Sequence, residues 1–125
     1  TKEDRNENIR RLGFVSKVLA RNNVVSIIAA INPYDSIRKE LDSLSKNVKT
    51  VYIKCNINEL KLRDTKDLYR RALLPDGHLD KVHNFTGISD PFDVPQNPNL
   101  IIHTDLEPIN KSAKKLEDFI IKCIS

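Results

Sequence analysis

Apolar residues recur at helical spacing from Thr1 to Asn23. Ile9, Leu12, Val15 and Leu19 fall on one face and predict an inward stripe. Thr1 with Asp4 matches a helix-start pattern, and Asn22-Asn23 supplies the stop. The pattern then changes. "VVSIIAAI", Val24 to Ile31, is a short and almost unbroken apolar run rich in β-branched residues. It predicts a strand buried on both faces, as in a parallel sheet. "NPYD" reads as a turn, and "SIRKELDSL" places Ile37, Leu41 and Leu44 on one helical face. "VKTVYIKC", Val48 to Cys55, predicts a second strand, and "NINELKLRD" a short helix. Lys66 to Pro98 has no steady period and reads as loop, with a helical turn over Leu68 to Leu74. "LIIHT", Leu100 to Thr104, predicts a third strand. "EPINKSAKKLEDFIIKCIS" closes as a helix, with Pro108 near its start and an apolar stripe of Leu116, Phe119, Ile120 and Cys123.

Helices and strands in this alternation predict an α/β fold with a parallel sheet. Ligands of such sheets bind at the carboxyl ends of the strands. "INPYD" and "RDTKDLY" fall at those ends.

The 125 residues predict one domain, 1–125, with a core that needs no disulfide. The two cysteines, Cys55 and Cys123, lack metal-type spacing and read as reduced, buried thiols of a cytoplasmic protein. No apolar run has the length of a membrane helix, and no signal peptide is visible. The net charge of +4 suits an anionic ligand but is common on ordinary surfaces. There is no Met, and the chain opens directly on a helix start, so a fragment is expected.

Arg5 and Asn8 share a helix face at i, i+3. Arg forks a phosphate or sulfate with two hydrogen bonds, and Asn pairs with a base edge or a ribose hydroxyl. Such pairs are more often merely solvated. "RDTKDLYRR", Arg63 to Arg71, gathers cations around Tyr69, and charge runs are usually solvated loops. Its neighbour argues for more. Phe85-Thr86-Gly87, followed by Pro91, Pro95 and Pro98, is an aromatic on a glycine turn with a stiff exit. That suits a lid over a flat anionic ligand, although Phe85 also suits a core anchor. The three His, at 78, 83 and 103, make no metal spacing. Neither G-x-x-x-x-G-K-[ST] nor G-x-G-x-x-G occurs. Phosphoryl transfer does not follow from these residues alone.

Four strings, in order, carry a resemblance: "DRNENIRRLGFVSKVL", "INPY", "RDTKDLYRRA" and "NFTGISDPFDVPQNPNL". They resemble adenylylsulfate kinases along the whole chain. The resemblance implies a P-loop kinase fold, a parallel-sheet three-layer sandwich, lacking here its N-terminal strand–P-loop–helix–strand portion. It implies transfer of the γ-phosphate of ATP, with Mg2+, to the ribose 3′-hydroxyl of adenylylsulfate. Arg5 and Asn8 then look like substrate contacts, Ile31 and Asn32 like pocket wall, and Phe85 like the plate under the adenine. His83 looks like a neighbour of the substrate charge. Arg63, Lys66 and Tyr69 look like ATP-side lid residues, within a lid of about 63–98, and Thr86 and Gly87 shape its turn. No metal ligand is expected in this chain. The implied partners are adenylylsulfate and ATP, with a homodimer and a sulfate adenylyltransferase partner or fusion both open, and with no membrane or nucleic acid.

The chain departs from the family in places. Asn32 stands for the usual Ser, Asp35 for Arg and His83 for Lys, and "LLPDGHLDKV" lengthens the lid. A His supplies charge only when protonated. The departures keep open a second reading, the same fold acting on another nucleoside 5′-diphosphate derivative. The absent P-loop and the basic charge keep open a third, a non-catalytic basic module for nucleotide or nucleic acid. Without the strand and P-loop, the 125 residues alone are expected to bind ATP poorly and catalyse nothing.

Overall fold

The computed structural model describes residues 1–125. They form two compact units. The first comprises Thr1–Val48 and His83–Val94, and the second Lys49–Val82 and Pro95–Ser125.

The first unit holds helices α1, Lys2–Arg21, and α2, Asp35–Leu44. The helix-start pattern is a full capping box: Thr1 Oγ1 accepts from the Asp4 amide, and the Asp4 carboxylate reaches back. That satisfies amides left bare at a helix start. α1 packs on α2 through Ile9, Tyr34 and Ile37, with Leu12 and Leu41 packed against them. Gly13 marks the crossing. A Cβ there would meet Leu41 Cδ2 at 2.4 Å and Leu44 Cδ1 at 3.3 Å, so the glycine lets the helices approach. Arg10 of α1 forks both carboxylate oxygens of Glu40 on α2, at 2.8 and 3.1 Å.

A second arginine ties in the distant segment of this unit. Arg38 is 7% exposed. It donates to the Asn32 carbonyl at 2.8 Å and to the Asp93 carbonyl at 2.5 Å, with its guanidinium 6.0 Å from the Phe92 ring centroid. The Asp93 amide donates to the Pro33 carbonyl at 2.8 Å, and its carboxylate accepts from the Asp35 amide at 3.0 Å, at the start of α2. Tyr34, the residue at the cap position, makes no such bond, so Asp93 caps the helix from far along the chain.

The second unit holds β1, Val51–Lys54; α3, Ile57–Arg63; α4, Leu68–Ala72; β2, Leu100–His103; and α5, Ile109–Ile124. β1 and β2 pair in parallel, Val51 opposite Leu100 and Lys54 opposite His103. Asn99 and Thr104 extend the ladder, through Asn99 N–H to the Thr50 carbonyl and Thr104 N–H to the Lys54 carbonyl. α5 packs on β2, where Ile102 is fully buried, and α3 packs on α4. Glu107 sits before α5. It accepts from Ser112 Oγ at 3.1 Å and from Lys115 Nζ at 2.5 Å.

Three expectations are corrected. Val24 to Ile31 is not a strand. Its composition suits one, but a strand exists only through a hydrogen-bonded neighbour, and the ladder here joins β1 and β2 alone. The segment stays exposed, with Ile27 at 67% and Ile31 at 64%. The α1 stripe is inward only at Ile9 and Leu12; Val15 and Leu19 lie beyond the α2 contact and face solvent. Cys123 is exposed at the end of α5, whereas Leu116, Phe119 and Ile120 are half-buried; both cysteines are free.

Two outcomes follow from these packing arrangements. Replacing Arg38 by Met leaves two carbonyls without their donors and should lower stability by about 1–3 kcal/mol in urea denaturation. Arg38→Lys should recover little, because an ammonium cannot span both acceptors. The hydrogen bond from Lys115, then that from Ser112, holds the Glu107 carboxyl below its ordinary value of 4.5. A lowered carboxyl adds stability above the unfolded value, and that stability is lost as pH falls through the folded one. Glu107→Gln should therefore flatten the loss of stability below pH 4.5 in acid titrations followed by circular dichroism.

Candidate functional site

The Asn84–Asp90 stretch folds on itself. The Phe85 carbonyl accepts from the amides of Ile88, Ser89 and Asp90 at 3.0, 2.9 and 3.1 Å. The Phe85 amide donates to Ser89 Oγ at 2.7 Å, and the Gly87 amide to the Asp90 carbonyl at 2.8 Å. Gly87 takes φ +85°, a conformation that glycine adopts without a Cβ clash. Asn84 takes φ +55°, which Asn tolerates better than most residues. The turn is thus fixed by its own backbone, with Phe85 at its head. Phe85 is half-buried and is not part of the Ile9–Tyr34–Ile37 core.

Arg5 of α1 reaches this turn. Its Nη1 donates to Thr86 Oγ1 at 2.9 Å, and its Nη2 pairs with the Asp90 carboxylate. The pair is partly sheltered, with side-chain exposures of 28% for Arg5 and 18% for Asp90. A guanidinium has five N–H donors, so donors remain beyond these two bonds. The sequence marks neither Thr86 nor Asp90 as a partner of Arg5, since they lie 81 and 85 positions away.

The remaining substrate-side candidates belong to the same unit. Asn8 and His83 are exposed, and Ile31 is exposed at the end of the apolar run. Asn32 is held through its carbonyl by Arg38, while its side-chain Oδ1 is buried with no hydrogen-bond donor. Such an acceptor is costly unless a donor reaches it. Arg5, Asn8, Ile31, Asn32, His83, Phe85, Thr86 and Gly87 therefore all lie in the first unit.

The other candidates lie in the second unit, so the expected lid of about 63–98 is divided between the two. Asp64, which sequence reasoning passed over, organises this part. Its carboxylate accepts from the amides of Tyr69 at 2.9 Å and Arg70 at 3.0 Å, capping α4. Its carbonyl accepts from the Asp67 amide at 2.8 Å, while Asp67 takes φ +57°. Arg63 donates to Glu59 Oε1 at 3.0 Å and to the Thr104 carbonyl at 2.9 Å, tying α3 to the end of β2. Lys66 is exposed on the turn. Tyr69 is half-buried, and burial, with Cys55 and Asp64 nearby, pushes its phenol up. No three His, Cys, Asp or Glu side chains gather where a metal ion could be held. No helix is long and apolar enough to cross a membrane.

Comparison with known proteins gives these parts a context. The adenylylsulphate kinase family profile matches residues 1–103. An adenylyl-sulfate kinase of a Picosynechococcus strain is 40% identical over 116 residues, which cover 93% of this chain and 63% of that protein. A probable bifunctional SAT/APS kinase of Sorangium cellulosum is 39% identical over 93% of this chain and 19% of its own length. The solved structure of the APS kinase CysC of Mycobacterium tuberculosis, in complex with AMPPNP and APS, superposes with a TM-score of 0.83 at 27% identity. That superposition covers 96% of this chain and 68% of that one. The chain spans 63% and 61% of the length of two such single-function relatives. With its family profile matched over 1–103, its small parallel sheet and its likeness to a solved APS kinase, the chain belongs to the adenylylsulphate kinase family.

Proposed function

We propose that this chain supplies the acceptor-binding portion of an ATP-dependent kinase that phosphorylates the ribose 3′-hydroxyl of adenylylsulfate. One observation carries the reading. The first unit gathers, in one compact body, a cation held to a turn (Arg5) and an aromatic at the head of that turn (Phe85). Adenylylsulfate offers an anionic mixed anhydride and a flat base, which match those two features by chemistry.

In this reading, Arg5 binds the anhydride and Phe85 stacks on the adenine. Ile31 and Asn32 wall the pocket. Asn8 adds a polar contact, and His83 faces the substrate charge. Arg63, Lys66 and Tyr69 serve the ATP side, with Thr86 and Gly87 shaping the turn. The fold is the P-loop kinase sandwich, and ATP with Mg2+ is the phosphoryl donor. The 125 residues contain no G-x-x-x-x-G-K-[ST]. They also contain no acidic cluster for the ion, so no step toward magnesium is assigned to them. A homodimer, or a sulfate adenylyltransferase on the same or a partner chain, is compatible with this role.

A chimera tests it. The N-terminal third of the Picosynechococcus relative is joined before Thr1 and assayed with ATP, Mg2+ and adenylylsulfate. The chimera should form 3′-phosphoadenylylsulfate, while the 125 residues alone should not. Phe85→Ala in the chimera should weaken acceptor binding by about 1–3 kcal/mol. Turnover of another nucleoside 5′-diphosphate derivative in preference to adenylylsulfate would replace the acceptor. A folded chimera inert toward all of them would remove the kinase reading.

A further inference from the structure

The geometry points to Asp90 as a positioning residue for the acceptor site, acting through Arg5, an inference that rests on adenylylsulfate being the acceptor. The Arg5 side chain is long, and a free arginine carries about 2 kcal/mol of rotamer entropy. An anion that captures such a side chain must first order it. Here the ordering is already done. Thr86 Oγ1 holds Nη1 at 2.9 Å and the Asp90 carboxylate holds Nη2, so two separate anchors fix the plane of the fork. The anchors are themselves rigid. The Asp90 amide is bound to the Phe85 carbonyl, and the Asp90 carbonyl accepts from Gly87. Thr86 and Asp90 also form a bridge with each other. The same turn carries Phe85, so the cation and the aromatic are set at one fixed spacing.

Two opposed effects make the role testable. Asp90 places a negative charge beside the cation that receives an anion, which by Coulomb's law weakens the anion's binding. It also pre-orders the donors, which strengthens binding by removing an entropy loss. We assign the larger effect to pre-ordering, because both side chains are mostly sheltered and the turn is closed by its own backbone.

The test uses the 125-residue chain and measures adenylylsulfate affinity by titration calorimetry, with melting temperature recorded for each variant. Asp90→Asn removes the charge and should nevertheless raise the Kd for adenylylsulfate about tenfold. Thr86→Val should also weaken binding, and Thr86→Ser, which keeps the hydroxyl, should restore it. The Arg5 Nε–H resonance should be sharp in the unaltered chain and in Thr86→Ser, and broadened in Asp90→Asn. A merely structural carboxylate would lower the melting temperature in Asp90→Asn without broadening Arg5 in the fraction that stays folded. Equal or tighter binding by a folded Asp90→Asn chain would overturn the assignment and leave the acceptor reading intact. Failure of the unaltered chain to bind adenylylsulfate would overturn the acceptor reading itself.

Discussion

The first unit depends on one constraint: cations on two helices must capture a loop that arrives from far along the chain. Arg38 is the deeper of the two. Buried at 7% exposure, it finds no full carboxylate partner at hydrogen-bond distance; the Asp35 carboxylate lies 3.8 Å away. Its charge is met by the carbonyls of Asn32 and Asp93 and by the Phe92 ring. A buried charge is tolerated only when its donors are satisfied. The loop therefore has to return to this place, and its return brings the Phe85 turn into the same unit as Arg5. Asn32 depends on the same contact, because the arginine that holds its carbonyl also fixes where its side chain emerges.

Local signals in the sequence were readable where the physics is local. The capping box at Thr1 and Asp4 needs four consecutive residues. The α2 stripe and most of the α5 stripe need only helical periodicity. The capture of Arg5 by Thr86 and Asp90 is a different case, separated by 81 and 85 positions, and no pattern in a short window encodes it. Gly13 shows the same limit. A glycine inside a helix reads as a weak point, and only the approach of Leu41 reveals it as the crossing. Val24 to Ile31 shows the reverse. Its composition is that of a buried strand, yet strand structure belongs to a pair of segments, and no strand of this chain pairs with it.

The candidate site was legible as motifs before it was legible as geometry. "DRNENIRR" and "NFTGISD" identified the family, which the profile match then showed. What the motifs did not reveal was the division of labour. All the residues read from the sequence as substrate-side lie with α1 and α2, whereas those read as ATP-side, Arg63, Lys66 and Tyr69, lie with the sheet. Arg5, read from the sequence as a fork for a ligand, already spends two donors on the Phe85 turn. Arg63, read as a lid cation, is bonded to Glu59 and the Thr104 carbonyl. In both cases the side chain is already held by hydrogen bonds within the protein.

The central proposal is that residues of the first unit bind the acceptor. Its most direct test is a titration of the isotope-labelled chain with adenylylsulfate, followed by amide and side-chain NMR. The account predicts shifts at Arg5, Asn8, Ile31, Asn32 and the His83–Asp90 stretch, with Arg63, Lys66 and Tyr69 unmoved. Shifts confined to the second unit, or spread evenly over exposed lysines and arginines of both, would contradict it.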